Sequence, residues 1–454
     1  VIRDLVRSRG LGDVYKRQLG GAQREILTTI PAHKEKWNIT FVTLNAPKEV
    51  CDFLNENNIP LITPKKPWIN PTGGFNEITA KTGKSQLKEW KKLIEDKENN
   101  NLKNTIDNAD AILISASGSL EMLSIIPNHI PLHAYLIEMH RGLHDDVLHR
   151  KLNGKPIRPL WLTKIMLSYH KKWDKRWHKV LWDRPNTSIS SNTPTSARRL
   201  AQAHGWNVIE NNSLAGNYPS RDKENRPGGA GVLWPAVNTN LWTEKPSSHE
   251  LNVWERFEHK PTGEYLITVG RASYMKASLD ALKIANYSKL PLVHIGGGNT
   301  AELKNEAQKL SAELIVMPRI SNEEITALIR NATALIGIAH GEGFGLTPME
   351  AILVGTPALV VNEAGFTHTI SDNENGRRLP WPNSNENLEK WRKAIIQAKK
   401  EENKIKWSKN GRKRILERWT PRFQSEAIAR TMNDLGVNVK INPDIKILPG
   451  LDPA

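Results

Sequence analysis

Cysteine is nearly missing from this chain: Cys51 is alone among 454 residues. A single thiol excludes an internal disulfide framework and fits a reducing, cytoplasmic compartment. No uninterrupted apolar run reaches the length that spans a bilayer. The hydrophobic share of 38% and the mean hydropathy of −0.51 fit a protein with a polar surface. No tandem repeat of solenoid period is present. Neither an H-E-x-x-H pair nor paired cysteines occur, so the common zinc signatures are missing. The net charge of +16 would permit nucleic-acid binding, but no RRM, KH or zinc-finger pattern accompanies it.

What is present has the length of two ordinary domains. Residues 1–18, VIRDLVRSRGLGDVYKRQ, do not read as the start of a domain. Their tail, SRGLGDVYKRQ, resembles translated sequencing adapter, and the segment is taken as non-native. It carries five Lys/Arg and two Asp/Glu, so the charge without it is still +13. On this reading the native chain starts near Leu19 and has lost its first strand.

Beyond it, apolar runs alternate with helical patterns, as in parallel α/β layers. Strands are expected at Ile39–Leu44, Ala111–Ser115, Leu132–Ile137 and, briefly, Asn207–Ile209. Helical patterns cover Leu87–Ile94, Leu160–Leu181 and Pro194–His204. Asn211–Gly231, rich in Asn, Gly, Pro and charge, reads as a mobile loop near a domain boundary. A second set of strands follows at Tyr265–Val269, Leu292–Ile295, Leu314–Val316, Ala334–Ile338 and Ala358–Val361, and Trp391–Leu435 is helical. The fold class is α/β, with Rossmann-like domains at residues 19–235 and 236–425 and a last helix and tail at 426–454.

The most informative stretch is His340–Phe366, HGEGFGLTPMEAILVGTPALVVNEAGF. Glu342 and Glu350 lie either side of a glycine-rich turn, with seven residues between them. The turn leads into a helix that Thr347 and Pro348 are expected to open. Amides at a helix start attract phosphate, Gly343-Phe344-Gly345 allows close approach to the backbone, and carboxylates accept hydrogen bonds from sugar hydroxyls. A structural reading competes: Thr347-Pro348-Met349-Glu350 fits a capping box, with Glu350 reaching back to the cap amide. Capping leaves Gly-Phe-Gly and Glu342 unexplained. At the end of Tyr265–Val269, Arg271 and Lys276 can reach one diphosphate, Arg as a fork and Lys as a point charge. A second glycine loop, Gly296-Gly297-Gly298, follows Leu292–Ile295. Ligands in open α/β sheets bind beyond such strand ends.

This segment resembles the E-x7-E region of family-4 glycosyltransferases, which have the GT-B fold: two Rossmann-like domains with parallel sheets facing across a cleft. The resemblance is strong over 265–380 and diffuse over 19–240. It implies transfer of a sugar from a nucleoside-diphosphate sugar to a glycan or lipid-linked hydroxyl, with retention of configuration, in cell-surface polysaccharide synthesis. Arg271 and Lys276 would neutralise the leaving diphosphate, and Glu342 would contact the donor sugar. Amides along Gly343, Phe344, Gly345, Leu346 and Thr347 would support the phosphate, together with Gly297. Glu350 would hold the ribose hydroxyls while also capping its helix. Gly20 and Gly21 look like the family's first glycine loop, and His140 like the histidine near the reacting sugar. In this fold the last helix crosses back to the first domain, and Trp419–Leu435 is the candidate. One departure is Gly365-Phe366, where the family often has two glycines; Phe366 is expected to reshape the acceptor side.

No D-x-D occurs, which argues against a metal-dependent transferase, so neither metal nor other cofactor is expected. His140 and His144 stand at i, i+4, a spacing that can hold zinc, but no further ligand signature accompanies them. Lys151–Arg184 holds ten Lys/Arg against Asp174 and Asp183, interleaved with four tryptophans. Ile165, Met166, Tyr169, Trp173, Trp177, Val180 and Leu181 form an apolar stripe. It fits docking on the inner face of an anionic membrane, or, slightly preferred, a core-packed helix with a solvated basic face. No nucleic-acid partner is expected. The alternatives to a transferase are a same-fold nucleotide-sugar epimerase and a non-catalytic glycan- or nucleic-acid-binding relative.

Overall fold

The computed structural model describes residues 2–5, 21–71, 78–96, 101–116, 120–206, 230–243, 253–445 and 447. Contacts divide the chain into two compact units. The first comprises Val1–Asp145, Pro159–Ala236 and Pro421–Pro453; the second comprises Asp146–Arg158 and Val237–Thr420, with Ala454.

The first unit is built on strands β1 (Ile2–Leu5), β2 (Thr40–Val42), β3 (Leu61–Ile62), β4 (Ile112–Ala116), β5 (Leu132–Leu136), β6 (Thr187–Ser191) and β7 (Gly231–Val232). Their order is β3-β2-β1-β4-β5-β6-β7 and all neighbours run parallel. A parallel sheet is covered on both faces, and the side chains show it. Val42, Ile112, Ile114, Leu132 and Ala134 join a core with Trp177 and Leu181. The alternating residues Leu113 and Tyr135 meet Ala427, Ile428 and Met432 of the helix Pro421–Asp434. Period-two alternation along each strand produces this two-sided packing.

Within residues 1–18, the segment expected to be non-native, Ile2–Leu5 forms β1. Ile2–Leu5 occupies the place between β2 and β4, with Ile2 opposite both Thr40 and Ile112. The position needs a short extended segment to complete both ladders. The expected strand Asn207–Ile209 and nearly all of the loop Asn211–Gly231 lie outside the described residues, apart from Ala230 and Gly231.

The second unit carries β8 (Leu266–Val269), β9 (Leu292–Ile295), β10 (Leu314–Val316), β11 (Ala334–Gly337), β12 (Ala358–Val361) and β13 (Arg377–Leu379). They form one parallel sheet in the order β10-β9-β8-β11-β12-β13. Trp391 and Trp407 are fully buried in this unit. Each keeps its indole N–H satisfied, donating to Pro380 O at 2.8 Å and Asn373 O at 3.3 Å, as buried tryptophans require.

His294, inside β9, is buried with neither ring nitrogen hydrogen-bonded among the described residues. Burial pushes its pKa down to about 4. A depressed histidine favours folding only while the unfolded chain is also neutral. Stability is therefore expected to fall as pH drops from about 6.5 to about 4, by roughly 3 kcal/mol from this residue. Urea unfolding of the wild type and His294→Leu across that window checks this: the variant should show the flatter profile.

Candidate functional site

The carboxyl ends of β8, β9, β11 and β12 bring the predicted loops of the second unit together. From β8 the chain enters Gly270–Lys276, and from β9 Gly296–Asn299. These two loops prolong the strand pairing: Gly270 N donates to Ile295 O at 2.8 Å, Ala272 N to Gly297 O at 2.7 Å and Asn299 N to Ala272 O at 2.8 Å. A Cβ on Gly296 would overlap the Gly270 carbonyl, and one on Gly298 would overlap Ala272 O. Those two glycines, both at positive φ, are thus explained by backbone approach within the protein. Gly297 is different. It is exposed, with open space beside its α-carbon.

From β11 the chain enters His340–Gly345. His340 N donates to Met275 O at 2.8 Å, tying this loop to the β8 loop. Lys276 Nζ then reaches Glu342 Oε2 at 2.6 Å, with side-chain exposures of 32% and 19%. The stem of Lys276 lies over Gly270. Arg271 stands exposed in the same loop. Two of the residues proposed for one site are therefore in direct contact, joined by an ion pair still open to solvent.

His340 is stacked between Tyr274, at 4.4 Å, and Trp381, at 4.2 Å between ring centroids. Glu363, beyond β12, accepts from Gly341 N at 2.6 Å and from Trp381 Nε1 at 2.7 Å. Gly365 N donates to Glu342 O at 2.8 Å. The Glu342 backbone is thus held from two sides. None of Tyr274, Glu363 or Trp381 was singled out in the sequence. Only their places after strand ends could have signalled them.

The helix after the glycine turn spans Leu346–Leu353, and its N-cap is Gly345 at φ +89°, with no side-chain cap bond. The expected capping box is overturned: Thr347 lies inside the first turn, and Glu350 is a buried residue one turn further on. Gly345 reaches a left-handed conformation that starts the helix two residues early. Gly343 and Phe344 are buried, and the Phe344 ring packs edge-on against Trp419 at 5.3 Å, so the ring is closed to a ligand. Phe366, expected to reshape the acceptor side, is turned inward. It is 2% exposed, and its ring fills the space where a Cβ on Gly345 would go.

Residues 254–414 match the Glycosyl transferases group 1 family. The alpha-1,3/1,6-mannosyltransferase ALG2 of Dictyostelium discoideum is 24% identical over 206 residues, 37% of this chain and 48% of that protein. The chain thus spans about half the length of that curated relative in the match. A glycosyltransferase from Rickettsia africae has a TM-score of 0.62 at 13% identity, covering 96% of this chain and 98% of its own. Anabaena HepE in complex with UDP and glucose has a TM-score of 0.58 at 14% identity, covering 95% and 98%. At such identities the likeness shows the fold, and that fold is the expected GT-B class.

In the first unit, His140 follows β5 and precedes the short helix Arg141–His144; its ring lies 5.8 Å from that of His170. Gly20 lies outside the described residues, and Gly21 opens the helix Gly21–Lys34. The apolar stripe of Leu160–Asp183 is split between two faces. Trp177 and Leu181 are buried, whereas Ile165 and Tyr169 are 62% and 46% exposed, beside Trp161 at 66%. Asp174 on the same helix is buried. Burial pushes its carboxyl upward, but His178, the bond from His144, His140 and His204 outweigh that and hold it well below the usual carboxylate range.

Proposed function

We propose that the protein transfers a sugar from a nucleoside-diphosphate sugar to a hydroxyl of a glycan or lipid-linked acceptor. The observation that carries this is the Lys276–Glu342 ion pair at the strand ends of a unit whose residues match the group 1 glycosyltransferases. Lys276 and Arg271 supply cations for the diphosphate, and Glu342 an acceptor for sugar hydroxyls. The amides following Gly345 supply the positive end of a helix dipole. As the sugar C1–O bond breaks, negative charge builds on the diphosphate, so fixed cations stabilise the transition state more than the ground state. No divalent ion is assigned to the diphosphate. The acceptor hydroxyl attacks from the leaving-group face, retaining configuration. Glu350 holds the ribose, and His140 belongs to the acceptor side.

The mannosyltransferase name of the Dictyostelium relative makes mannosyl donors the first to try, and the UDP-glucose family of ligands the second. Thermal shifts against GDP-, UDP-, ADP- and TDP-sugars, with and without Mg2+, test the reading. One nucleotide should raise the melting point regardless of Mg2+, and free nucleotide should then be released only when an acceptor hydroxyl is added. A normal melting transition that no nucleotide sugar moves would overturn the proposal. Sugar isomerisation without an acceptor would indicate an epimerase.

Among the described residues no helix is long and apolar enough to cross a membrane. Trp161, Ile165 and Tyr169 nevertheless expose one face of Leu160–Asp183, continued by exposed Lys172, Arg176 and Lys179. Apolar anchors beside cations complement an anionic bilayer, where a lipid-linked acceptor would be met. Co-sedimentation with vesicles containing phosphatidylserine should exceed that with phosphatidylcholine alone. Trp161→Ser with Ile165→Ser should lower it several-fold.

A further inference from the structure

We propose that the first unit binds a divalent transition-metal ion of the Zn2+ type through His144, Asp174 and His204. These residues come from three helices, Arg141–His144, Leu160–Asp183 and Pro194–His204. Their candidate ligand atoms all lie within 4.8 Å of one another. His144 Nε2 is 2.9 Å, and His204 Nε2 3.8 Å, from Asp174 Oδ2. The three side chains are only 3%, 6% and 1% exposed.

His204 is what points to a ligand. Both of its ring nitrogens are buried without a hydrogen-bond partner among the described residues. Leaving a buried imidazole N–H unmade is costly, and His204, unlike His294, bears that cost beside a carboxylate and a second imidazole. Here Nε2 stops short of Asp174, at a separation too long for a hydrogen bond. Four donors around zinc at about 2.1 Å stand roughly 3.4 Å apart. The observed 2.9 and 3.8 Å bracket that value. Small side-chain shifts would therefore centre an ion among the three.

The neighbours hold the donors in place. His178 Nδ1 donates to the Asp174 carbonyl at 2.9 Å, and its ring stacks on His204 at 3.7 Å and 11°. That stack fixes the plane of the His204 ring. A small cavity lined by Glu121, His170, Trp173 and Trp177 abuts Asp174 and offers an approach for water or the ion. Two imidazoles and one carboxylate suit zinc, cobalt, nickel or iron, whereas calcium and magnesium prefer all-oxygen shells. Binding replaces the His144 N–H···Asp174 bond with two metal bonds, and the imidazole stays neutral by carrying its proton on Nδ1 instead of Nε2. The ion joins three helices near His140 and plays no part on the donor diphosphate.

The test uses the full chain, stripped with a chelator and dialysed, then titrated with Zn2+ alone and Co2+ alone. One equivalent of Zn2+ should bind per chain and raise the melting temperature, and Co2+ should give visible d–d bands of a low-coordinate N/O site. His204→Gln and Asp174→Asn should weaken Zn2+ more than tenfold, whereas His129→Gln, on an exposed histidine, should leave it unchanged. Should the ligand variants fail to fold, the wild-type stoichiometry and Co2+ spectrum still decide. A folded, stripped wild type that takes up neither ion, or a His204→Gln variant that binds as tightly as wild type, would overturn the proposal.

Discussion

Replacing Lys276 with methionine is expected to lower sugar transfer on the order of 10²- to 10³-fold, the usual cost of removing one preorganised charge from a developing anion. Folding should barely change. The pair with Glu342 is a third exposed on the lysine side, and such pairs contribute about 1 kcal/mol or less to stability. Rate and melting point measured together therefore separate a catalytic cation from a structural salt bridge. Glu342→Gln should also slow transfer, with its larger effect on the reacting sugar. The double variant should lose less than the product of the two single losses, because the groups touch and act together. A melting point lowered by several degrees with unchanged turnover would place the pair in the scaffold and leave the diphosphate to Arg271.

How legible this site was depended on what each residue does in the fold. Strands β9, β10 and β12 coincide with the apolar runs residue for residue, because strands covered on both faces read as continuous hydrophobic segments. β6, Thr187–Ser191, escaped that reading because its sequence TSISS is mostly hydroxyl. Those hydroxyls are buried around one imidazole: His133 Nδ1 lies 2.6 Å from Ser188 Oγ, and its Nε2 2.8 Å from Ser190 Oγ. Hydropathy cannot report a strand that satisfies itself this way. The Lys276–Glu342 contact was legible as two residues at strand ends, since parallel α/β topology collects such ends. The true start of Leu346–Leu353 was not. Gly345 adopts a left-handed conformation that a matching T-P-M-E string does not reveal. The cluster at Asp174 was invisible for another reason. His144 and His204 approach it only through the packing of three helices, and His140, the helical-spacing partner of His144, is not among the three.

That shift in the helix start carries the last prediction. With Gly345 as N-cap, Glu350 is no cap and is buried in the second turn. The roughly 1 kcal/mol stability loss expected of a removed cap therefore should not be its signature. Glu350→Gln, which keeps the shape, is expected to weaken nucleotide binding by about 10- to 100-fold, as loss of charge-assisted hydrogen bonds commonly does. Isothermal titration with the donor nucleotide measures it. The decisive comparison uses the matching 2′-deoxynucleotide. If Glu350 accepts from ribose hydroxyls, the wild type should bind the ribonucleotide more tightly than the deoxy form, and Glu350→Gln should lose that preference. Equal discrimination in both proteins would take Glu350 away from the ribose. Its burial would then be a matter of holding the helix Leu346–Leu353 against the strands beneath it, and the amides at its start would carry the phosphate without help from that carboxylate.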